Sequence, residues 1–564
     1  MHWTQVYDPF HFWPLSTLVA SLPVIVLFYL LAVRGTRPHR AALAGAATAV
    51  IAAGAVFSMP WAASLASFFF GAAFGLKIAW IVVSAVFLYD ISVATGQFEI
   101  MKDSVAAISE DRRLQALLIA FAFGAFVEGC AGFGAPVAIS GAFMIGLGFD
   151  PFYAATLNLI ANTAPVAWGA IGTPLHTLAA VTGLPLSDLS AMTGRILPFT
   201  SVIVPVWLVR VMVPWRATLE VLPAIIVCGV SFAITQFLWS NYVDSNLVDI
   251  ASAVACLVSM IIFLRFWQPK NIYRFEKDAV TTEAKRNHYG RNAIVRAWVP
   301  FLVLTLFVLM WGLPSIKDAL NRWTTPAYSI TLPDGRVRPG PPGWDFPFLH
   351  NRVLRDRPVV ERPTPEAARY DFNWLTATGT AVFLAAAFSG LLLGLRFAEL
   401  VRLFGKTLWR MRFAVLAIIS MLGLGFVTRY SGMDAVLGLA FTRTGWLFPF
   451  FGTFLGWLGV ALTGSDTSSN ALFGSLQRVT AQQLGIDPVL MAAANSAGGV
   501  MGKMVDAQSI VVSTAATNQV GNEGKILRSV AWHSVALAAI VGLIVMLFAY
   551  VFPSAIPHGL SFTR

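Results

Sequence analysis

Residues 114–147 read LQALLIAFAFGAFVEGCAGFGAPVAISGAFMIGL, and this stretch carries the strongest structural signal in the chain. Two apolar arms, 114–127 and 133–147, are joined by the glycine-rich sequence Glu128–Gly132. A helix of about 15 residues rises about 22 Å, which is short of the roughly 30 Å hydrocarbon core of a bilayer. The stretch therefore predicts a re-entrant hairpin, whose non-helical tip must be buried in protein or line an aqueous cavity.

A second stretch has the same organisation. Residues 446–463 are apolar, the polar sequence Gly464–Asn470 follows, and a further arm runs to residue 484. This order predicts a second hairpin over 446–484, again with its tip at the interruption between two arms.

Matched sequences follow the two hairpins. Each starts with Asp-Pro, at Asp150 and Asp487, and each is then interrupted by Asn-Thr or Asn-Ser among glycines. Asp before Pro is typical of a helix start. We predict two broken helices, over 152–183 and 488–518, in the arrangement by which secondary transporters hold substrate at the midplane. Chance similarity between Gly/Ala-rich membrane helices is the alternative.

The composition is that of a polytopic membrane protein. Hydrophobic residues make up 57% of the 564 residues and charged residues 12%, and the mean hydropathy is +0.70. Soluble domains have about 45–50% apolar and about 25% charged residues, so too few charges are present to cover soluble surfaces. The three cysteines form no CxxC pair, so we expect no metal site and no cofactor.

Predominantly apolar stretches with few charged residues give the spans. Together with the hairpins we predict an all-α fold with about 12 transmembrane helices. Segment 61–73 either lies in the interface or extends the third span. The ten spans lie near 14–33, 41–58, 75–96, 197–213, 220–240, 248–267, 297–313, 374–395, 412–429 and 531–552.

The net charge of +11 is distributed in short runs between apolar segments. That pattern is typical of cytoplasmic loops and not of a nucleic-acid-binding face, so we expect no nucleic-acid partner. The N-terminus, the C-terminus and the loop 314–372 are then predicted to be periplasmic. The basic loops are 34–40, 268–296 and 396–412.

This orientation makes the two hairpins enter from opposite sides of the membrane. We therefore predict an inverted repeat of residues 1–267 and 297–564, separated by the cytoplasmic loop 268–296. The oligomeric state is left open, with a homodimer among the alternatives.

Four runs carry a family resemblance: GAFVEGCAGFGAPVAI (124–139), LIANTAPVAWGAIGTP (159–174), LTGSDTSSNALF (462–473) and AANSAGGVMGKM (493–504). They resemble the lactate permease family, bacterial carriers of lactate with glycolate-carrying members. The resemblance implies proton-coupled uptake across the bacterial inner membrane and the elevator-like architecture of the ion-transporter superfamily. The family commonly has Ser-Pro where this chain has Asp506-Ala507.

Lys503 is the basic residue that lies well inside a predicted membrane element. A buried cation is costly there, so we predict that it binds the substrate carboxylate. The alternative is a structural ion pair with Asp466 or Asp506. Four glycines would let backbone N–H groups approach the substrate, although glycine also packs membrane helices. These are Gly132, Gly134, Gly498 and Gly499.

Glu128 and Asp466 occupy equivalent places at the two predicted tips, where a carboxyl can bind and release a proton. We expect Glu128 to carry the proton because its tip is apolar, whereas the Ser/Thr-rich tip would hold Asp466 charged. A permanently paired structural acid is the alternative for either residue.

Neutral donors and acceptors for a hydroxyl group lie near the predicted tips and breaks. Each of them alone is more often a helix cap than a ligand. They are Asn162, Thr163, Ser468, Asn470, Asn495 and Ser496. We expect structural roles for His176 and Asp90, and N-caps at Asp150 and Asp487.

The chain contains no HExxH, Walker A or GxSxG motif, so we expect a carrier and not an enzyme. The predicted function is import of L-lactate, with D-lactate and glycolate, together with protons. A carrier of another small carboxylate, a sodium-coupled carrier, a channel and an intramembrane enzyme are the alternatives.

Overall fold

The structure is a computed structural model. It describes residues 2–132, 135–275, 289–313, 316, 319–320, 329–331, 337–339, 343–360, 362–370, 372–517, 519 and 522–559.

The described residues as far as Gly312 are mainly helical, and residues 313–377, which follow them, are called the central loop. The helices are α1 (Trp13–Phe28), α2 (Pro38–Ala55), α3 (Trp61–Ala94), α4 (Gln97–Ala106), α5 (Arg112–Ala116), α6 (Gly124–Ala131), α7 (Ala135–Gly146), α8 (Pro151–Ala161), α9 (Gly169–Thr182), α10 (Leu186–Met212), α11 (Trp215–Glu220), α12 (Leu222–Tyr242), α13 (Val248–Phe266) and α14 (Arg291–Gly312).

The part of the chain after the central loop is also mainly helical. Its helices are α15 (Thr378–Leu392), α16 (Phe397–Ser431), α17 (Met433–Phe441), α18 (Phe448–Thr463), α19 (Asp466–Leu484), α20 (Pro488–Gly502), α21 (Ala507–Ala516) and α22 (Glu523–Tyr550). Short π turns cover Tyr29–Val33 and Leu117–Phe123, and 3-10 turns cover Val166–Trp168, Thr442–Leu447 and Pro553–Ala555.

The chain is an all-α polytopic membrane protein. Nine helices in the described ranges are long and apolar enough to cross a bilayer. Helix α3 runs through 34 residues, so segment 61–73 extends the third span and does not form a separate interfacial element.

Short β-strands outside the helices form three small sheets among the described residues. The strands are β1 (Trp3–Thr4), β2 (Ser329–Thr331), β3 (Val337–Pro339), β4 (Trp344–Asp345), β5 (Val353–Arg355), β6 (Thr364–Pro365) and β7 (Arg369–Tyr370). Strand β1 pairs in parallel with β5, which pairs antiparallel with β6; β2 pairs with β3 and β4 with β7. The N-terminal segment and the central loop therefore lie on the same side of the membrane.

The first predicted tip is helical, which corrects the expectation. Helices α5 and α6 and the π turn between them form one continuous stretch, so Glu128 lies in the last helical turn. Glutamate is a good helix former, and the helix ends only at Gly132, where φ is +60° and ψ is −155°. Glycine, which lacks a Cβ atom, adopts this backbone conformation much more easily than other residues do.

The second tip is shorter than expected. Helix α18 ends at Gly464, with φ +74°, and α19 begins already at Asp466. The Ser465 side chain accepts a hydrogen bond from Ser468 N and so caps α19. Asp466 is therefore a first-turn residue, where a carboxylate is favoured by the helix dipole.

Two helix interruptions follow. The chain leaves the helical path after α8, and it is irregular as far as the start of α9, where Ala170, Ile171 and Gly172 all have positive φ. Between α20 and α21 the interruption covers Lys503–Asp506. The predicted N-caps are confirmed: Asp150 accepts from Phe152 N and Tyr153 N, and Asp487 accepts from Val489 N and Leu490 N.

Helices α18 and α20 pack backbone to backbone. A Cβ atom on Gly456 would lie 1.9 Å from Asn495 O, and one on Gly498 would lie 2.0 Å from Thr453 O. Gly502 is equally tight, because its Cβ would lie 2.3 Å from Trp457 O. Glycine is required along this seam because any side chain would force the helices apart.

Candidate functional site

The four interruptions of the chain meet around one cavity. The space that a water-sized sphere can occupy in it is about 20 Å³, which is enough for about one ordered water molecule, so the site is nearly closed in this structure. It lies between the end of α6, the start of α9, the α18–α19 turn and the residue after α20. The lining residues are Glu128, Gly132, Val166, Gly169, Ala170, Thr173, Pro174, Gly464, Ser465, Asp466, Thr467 and Lys503.

Glu128 reaches the cavity because Gly169 leaves room for its carboxyl group, and Gly132 lets the end of α6 approach Ala170 closely. A Cβ on Gly169 would lie 2.5 Å from Glu128 Oε1, and a Cβ on Gly132 would lie 3.0 Å from Ala170 Cβ. Glu128 is buried, and no hydrogen-bond partner of its Oε2 atom is found among the described residues. The carboxyl group interacts electrostatically with Lys503 across the cavity.

Lys503 is fixed from two sides. Its Nζ donates to Gly464 O at 2.6 Å and lies 3.5 Å from Asp506 Oδ2. Of the two ion-pair partners weighed from the sequence, the structure selects Asp506. The lysine follows the C-terminus of α20, where the helix dipole favours a cation. Asp506 also caps α21, because its Oδ1 accepts from Ser509 N at 2.6 Å.

Asp466 is held by side chains from α19 and α20. Its Oδ2 accepts from Ser496 Oγ at 2.5 Å and from Asn470 Nδ2 at 3.2 Å. These donors differ from the tip Ser/Thr residues that the sequence suggested. Asn495 Nδ2 donates to Asn470 Oδ1 at 2.9 Å, which extends the network behind the cavity.

Asn495 and Ser496 are not at a break, which corrects the sequence interpretation. They lie in the middle of α20, because the interruption comes seven residues after Ser496, at Lys503. Asn470 crosses to the first half of the chain, where its Nδ2 donates to Pro174 O at 3.1 Å. The two halves are thus linked by a hydrogen bond directly beside the cavity.

The remaining predicted residues have different surroundings. Thr163 donates to Ile160 O at 2.7 Å. The side chain of the buried Asn162 faces the Glu128 carboxyl group, but neither of its polar atoms makes a hydrogen bond of normal geometry with a described residue. Ser468 is half-buried and donates its backbone N–H to Ser465 Oγ. A Cβ on Gly499 would lie 2.2 Å from Asp466 Oδ1, so Gly499 makes room for that carboxyl. Gly134 lies outside the described residues.

Asp249 is the residue that the sequence analysis missed. It is 1% exposed, and neither carboxyl oxygen has a hydrogen-bond partner within the part of the chain that the structure describes. A Cβ on Gly129 would lie 2.9 Å from Asp249 Cβ, and the carboxyl interacts electrostatically with Glu128. An acid in the first turn of an otherwise apolar span was the available signal.

Two expected structural residues are paired away from the cavity. Asp90 accepts from Arg410 at 2.6 Å and from Thr407 at 2.5 Å, and His176 Nε2 lies 2.6 Å from Asn246 Oδ1. Among the residues that the structure describes, no group of three His, Cys, Asp or Glu side chains is arranged to hold a metal ion.

The sequence profile of the L-lactate permease family matches residues 16–552. The chain belongs to the L-lactate permease family. A glycolate permease of Escherichia coli (strain K12) is 45% identical over 562 residues, which cover 98% of each chain.

Two L-lactate permeases are similarly close. Those of Salmonella typhimurium and Bacillus subtilis are each 44% identical and are covered over 100% of their length, by 98% and 99% of this chain. Among solved structures, Neisseria gonorrhoeae MtrF, from a work on antimetabolite efflux pumps, gives a TM-score of 0.43 at 12% identity. That match covers 86% of this chain and 83% of the other, and its score is too low to establish a shared fold.

Proposed function

We propose that this permease imports L-lactate, and also D-lactate and glycolate, together with protons across the bacterial inner membrane. The observation that carries the proposal is the cavity itself, which brings one buried lysine and two buried carboxyl groups together at the four chain interruptions. The relatives named for L-lactate and for glycolate support a 2-hydroxymonocarboxylate as cargo.

Lys503 is the proposed contact for the substrate carboxylate. An ammonium group has three N–H donors. One is used by Gly464 O. Asp506 Oδ2 lies 3.5 Å from Nζ but accepts no hydrogen bond from the described residues, so at least one N–H donor remains for a ligand in the cavity. The structural-pair alternative gives the lysine no role beyond Asp506, and the variants described in the Discussion separate the two.

The substrate hydroxyl has partners beside Lys503, on the α18–α19 turn whose Gly464 O accepts from the lysine. Ser465 accepts a backbone hydrogen bond through its oxygen, so its own proton is available to a ligand. Thr467 also lines the cavity. We assign the other predicted donors, from Asn162 to Ser496, to supporting these groups, because none of those six side chains lines the cavity.

Glu128 is the proposed proton carrier, and Asp466 the proposed structural acid of the α18–α19 turn. The assignment rests on their different surroundings: Asp466 accepts two hydrogen bonds, whereas Glu128 Oε2 has none among the described residues. A carboxyl without donors is more stable in its neutral form. Uphill uptake lost in Asp466→Asn but kept in Glu128→Gln would reverse these roles.

The membrane arrangement is proposed from the same geometry. We infer two re-entrant hairpins in an inverted repeat of residues 1–267 and 297–564, with both termini in the periplasm and an elevator-like movement. The meeting of both turns and both helix breaks at one cavity supports this arrangement, which is favourable for binding at the midplane.

Reconstituted protein tests the proposed function. Labelled L-lactate should accumulate in proteoliposomes under an inward proton gradient and should be recovered chemically unchanged. Uptake that persists after the proton gradient collapses but requires sodium would replace proton coupling with sodium coupling. Competition by unlabelled glycolate, pyruvate, acetate and succinate defines the cargo, and preference for a non-hydroxylated acid would overturn the lactate assignment.

A further inference from the structure

Two buried carboxyl groups lie next to each other behind the cavity wall. Glu128, on α6, lines the cavity, and Asp249, on α13, packs against the same helical turn at Gly129. Both side chains are at most 3% exposed. Within the described ranges, Glu128 Oε2 and both Asp249 oxygens lack hydrogen-bond partners.

Such a pair cannot carry two full charges at reasonable cost. An isolated carboxylate in a water-poor interior is strongly unfavourable and takes up a proton instead. Two neighbouring carboxylates add mutual repulsion, and Glu128 and Asp249 do interact electrostatically. The nearest cation, Lys503, already has Asp506 as its partner, so it cannot neutralise both acids.

We propose that Asp249 is a second proton-binding group of the transport site and shares its proton with Glu128. The inference rests on the proposed proton-coupled function. Asp249 does not line the cavity, so it is a positioning residue that acts through Glu128. Of the neighbouring titratable groups, Cys130 interacts electrostatically with Asp249, and Lys503 and Asp506 interact with Glu128. Helix α13 also carries Cys256 and, in its last turn, Arg265, and the adjacent α12 carries Cys228. The thiols of Cys228 and Cys256 contact each other at 3.4 Å.

Proton and charge balance follow from this pair. Asp466 has the same charge in both states and is left out of the sum. In the empty site, the charges of Lys503 and Asp506 cancel, and a Glu128–Asp249 pair with one proton contributes a net charge of −1. When a substrate anion and one further proton enter, the acids become neutral and the anion carries the charge of −1. The proton binds a carboxylate oxygen of the pair and leaves from it on the other side of the membrane. Both states then cross the membrane with the same net charge, which fits transport of one proton per anion.

Infrared spectroscopy of the full-length protein in lipid tests the proton on Asp249 directly. At neutral pH the wild type should show the C=O stretch of a protonated carboxyl, and Asp249→Asn should lose part of that band. Asp244→Asn is the matched control, because Asp244 precedes the same helix but accepts from Asn246 N, Asn246 Nδ2 and Leu247 N. The control should leave the band unchanged.

Transport provides the second readout. Asp249→Asn should retain lactate exchange, and the pH midpoint of gradient-driven uptake should move by about one unit or more toward higher pH. In the wild type the transported proton is the second to bind to the coupled pair, so it binds more weakly than a proton on Glu128 alone. An unchanged band and midpoint in Asp249→Asn, or equal changes in Asp244→Asn, would overturn the inference. A wild type that moves no protons with lactate would instead overturn the proposed coupling, while the infrared band still reports on Asp249.

Discussion

Removing the charge of Lys503 should weaken lactate binding by roughly ten- to a hundred-fold. A hydrogen bond to a charged group contributes about 1.5–3 kcal/mol, and about 1.4 kcal/mol corresponds to a factor of ten in affinity. In the structure the lysine lines the cavity and has at least one N–H donor beyond the one used by Gly464 O. The expected loss is therefore that of one charged contact.

The single variant Lys503→Gln would mix two effects. Asp506 is fully buried, and breaking a buried ion pair leaves an uncompensated charge that costs about 3–5 kcal/mol of stability. The better perturbation is the double variant Lys503→Gln/Asp506→Asn, which removes one positive and one negative charge and so leaves the net charge of the site unchanged. Lys503→Arg should rescue only in part, because a guanidinium is wider and prefers planar two-point contacts.

The assay is the half-saturation concentration for labelled lactate exchange at matched protein density. The control is Asp90→Asn/Arg410→Gln, which removes an ion pair between a largely buried aspartate and an exposed arginine away from the cavity and should leave that concentration unchanged. An abundant double variant with wild-type affinity would refute carboxylate recognition by Lys503 and favour a purely structural pair.

Three further predictions follow from the site and its surroundings. Glu128→Gln should abolish gradient-driven accumulation yet retain lactate exchange, and accumulation at the wild-type level would contradict the proton assignment. Gly499→Ala should lower thermal stability by about 1–3 kcal/mol and impair transport, because the new Cβ would lie 2.2 Å from Asp466 Oδ1; Gly146→Ala, with nothing within 4 Å, is the control. Burial opposes ionisation of Glu366, but two arginine partners overcome this and hold its pKa below the ordinary value. The contribution of the Glu366 carboxylate to stability should therefore be complete above about pH 4.3 and be lost as the pH falls through the lowered pKa. The difference in melting temperature between wild type and Glu366→Gln should then shrink on acidification. A difference that grows on acidification would refute this sign.

Local signals in the sequence were sufficient for the fold class and the helix caps. The apolar composition is a property of the whole chain, and Asp150 and Asp487 act on N–H groups two and three residues away. Such effects depend on neighbours in sequence and so can be predicted without a structure. The extent of the helices was less accessible, because Glu128 remains helical only through packing that the sequence does not display.

The candidate site depended more strongly on contacts between distant segments. Asp249 and Glu128 are far apart in sequence, and only the packing of α13 against α6 makes them neighbours. Likewise, the sequence alone made Asp466 and Asp506 both reasonable ion-pair partners for Lys503. The path of the chain between α20 and α21 places Asp506 next to the lysine. Hydrophobic periodicity is a local signal and does not predict which distant segments pack together.

The glycine seam between α18 and α20 has a mechanical consequence. Because Gly456, Gly498 and Gly502 leave less than the width of a methyl group between the helices, sliding one along the other would drive side chains into backbone. The two helices must therefore move as one rigid piece. Asp466 and Lys503, which lie at the ends of this piece, keep their separation whenever it shifts. Any opening of the cavity must then arise from its other wall, which is formed by Glu128 and the α8–α9 break.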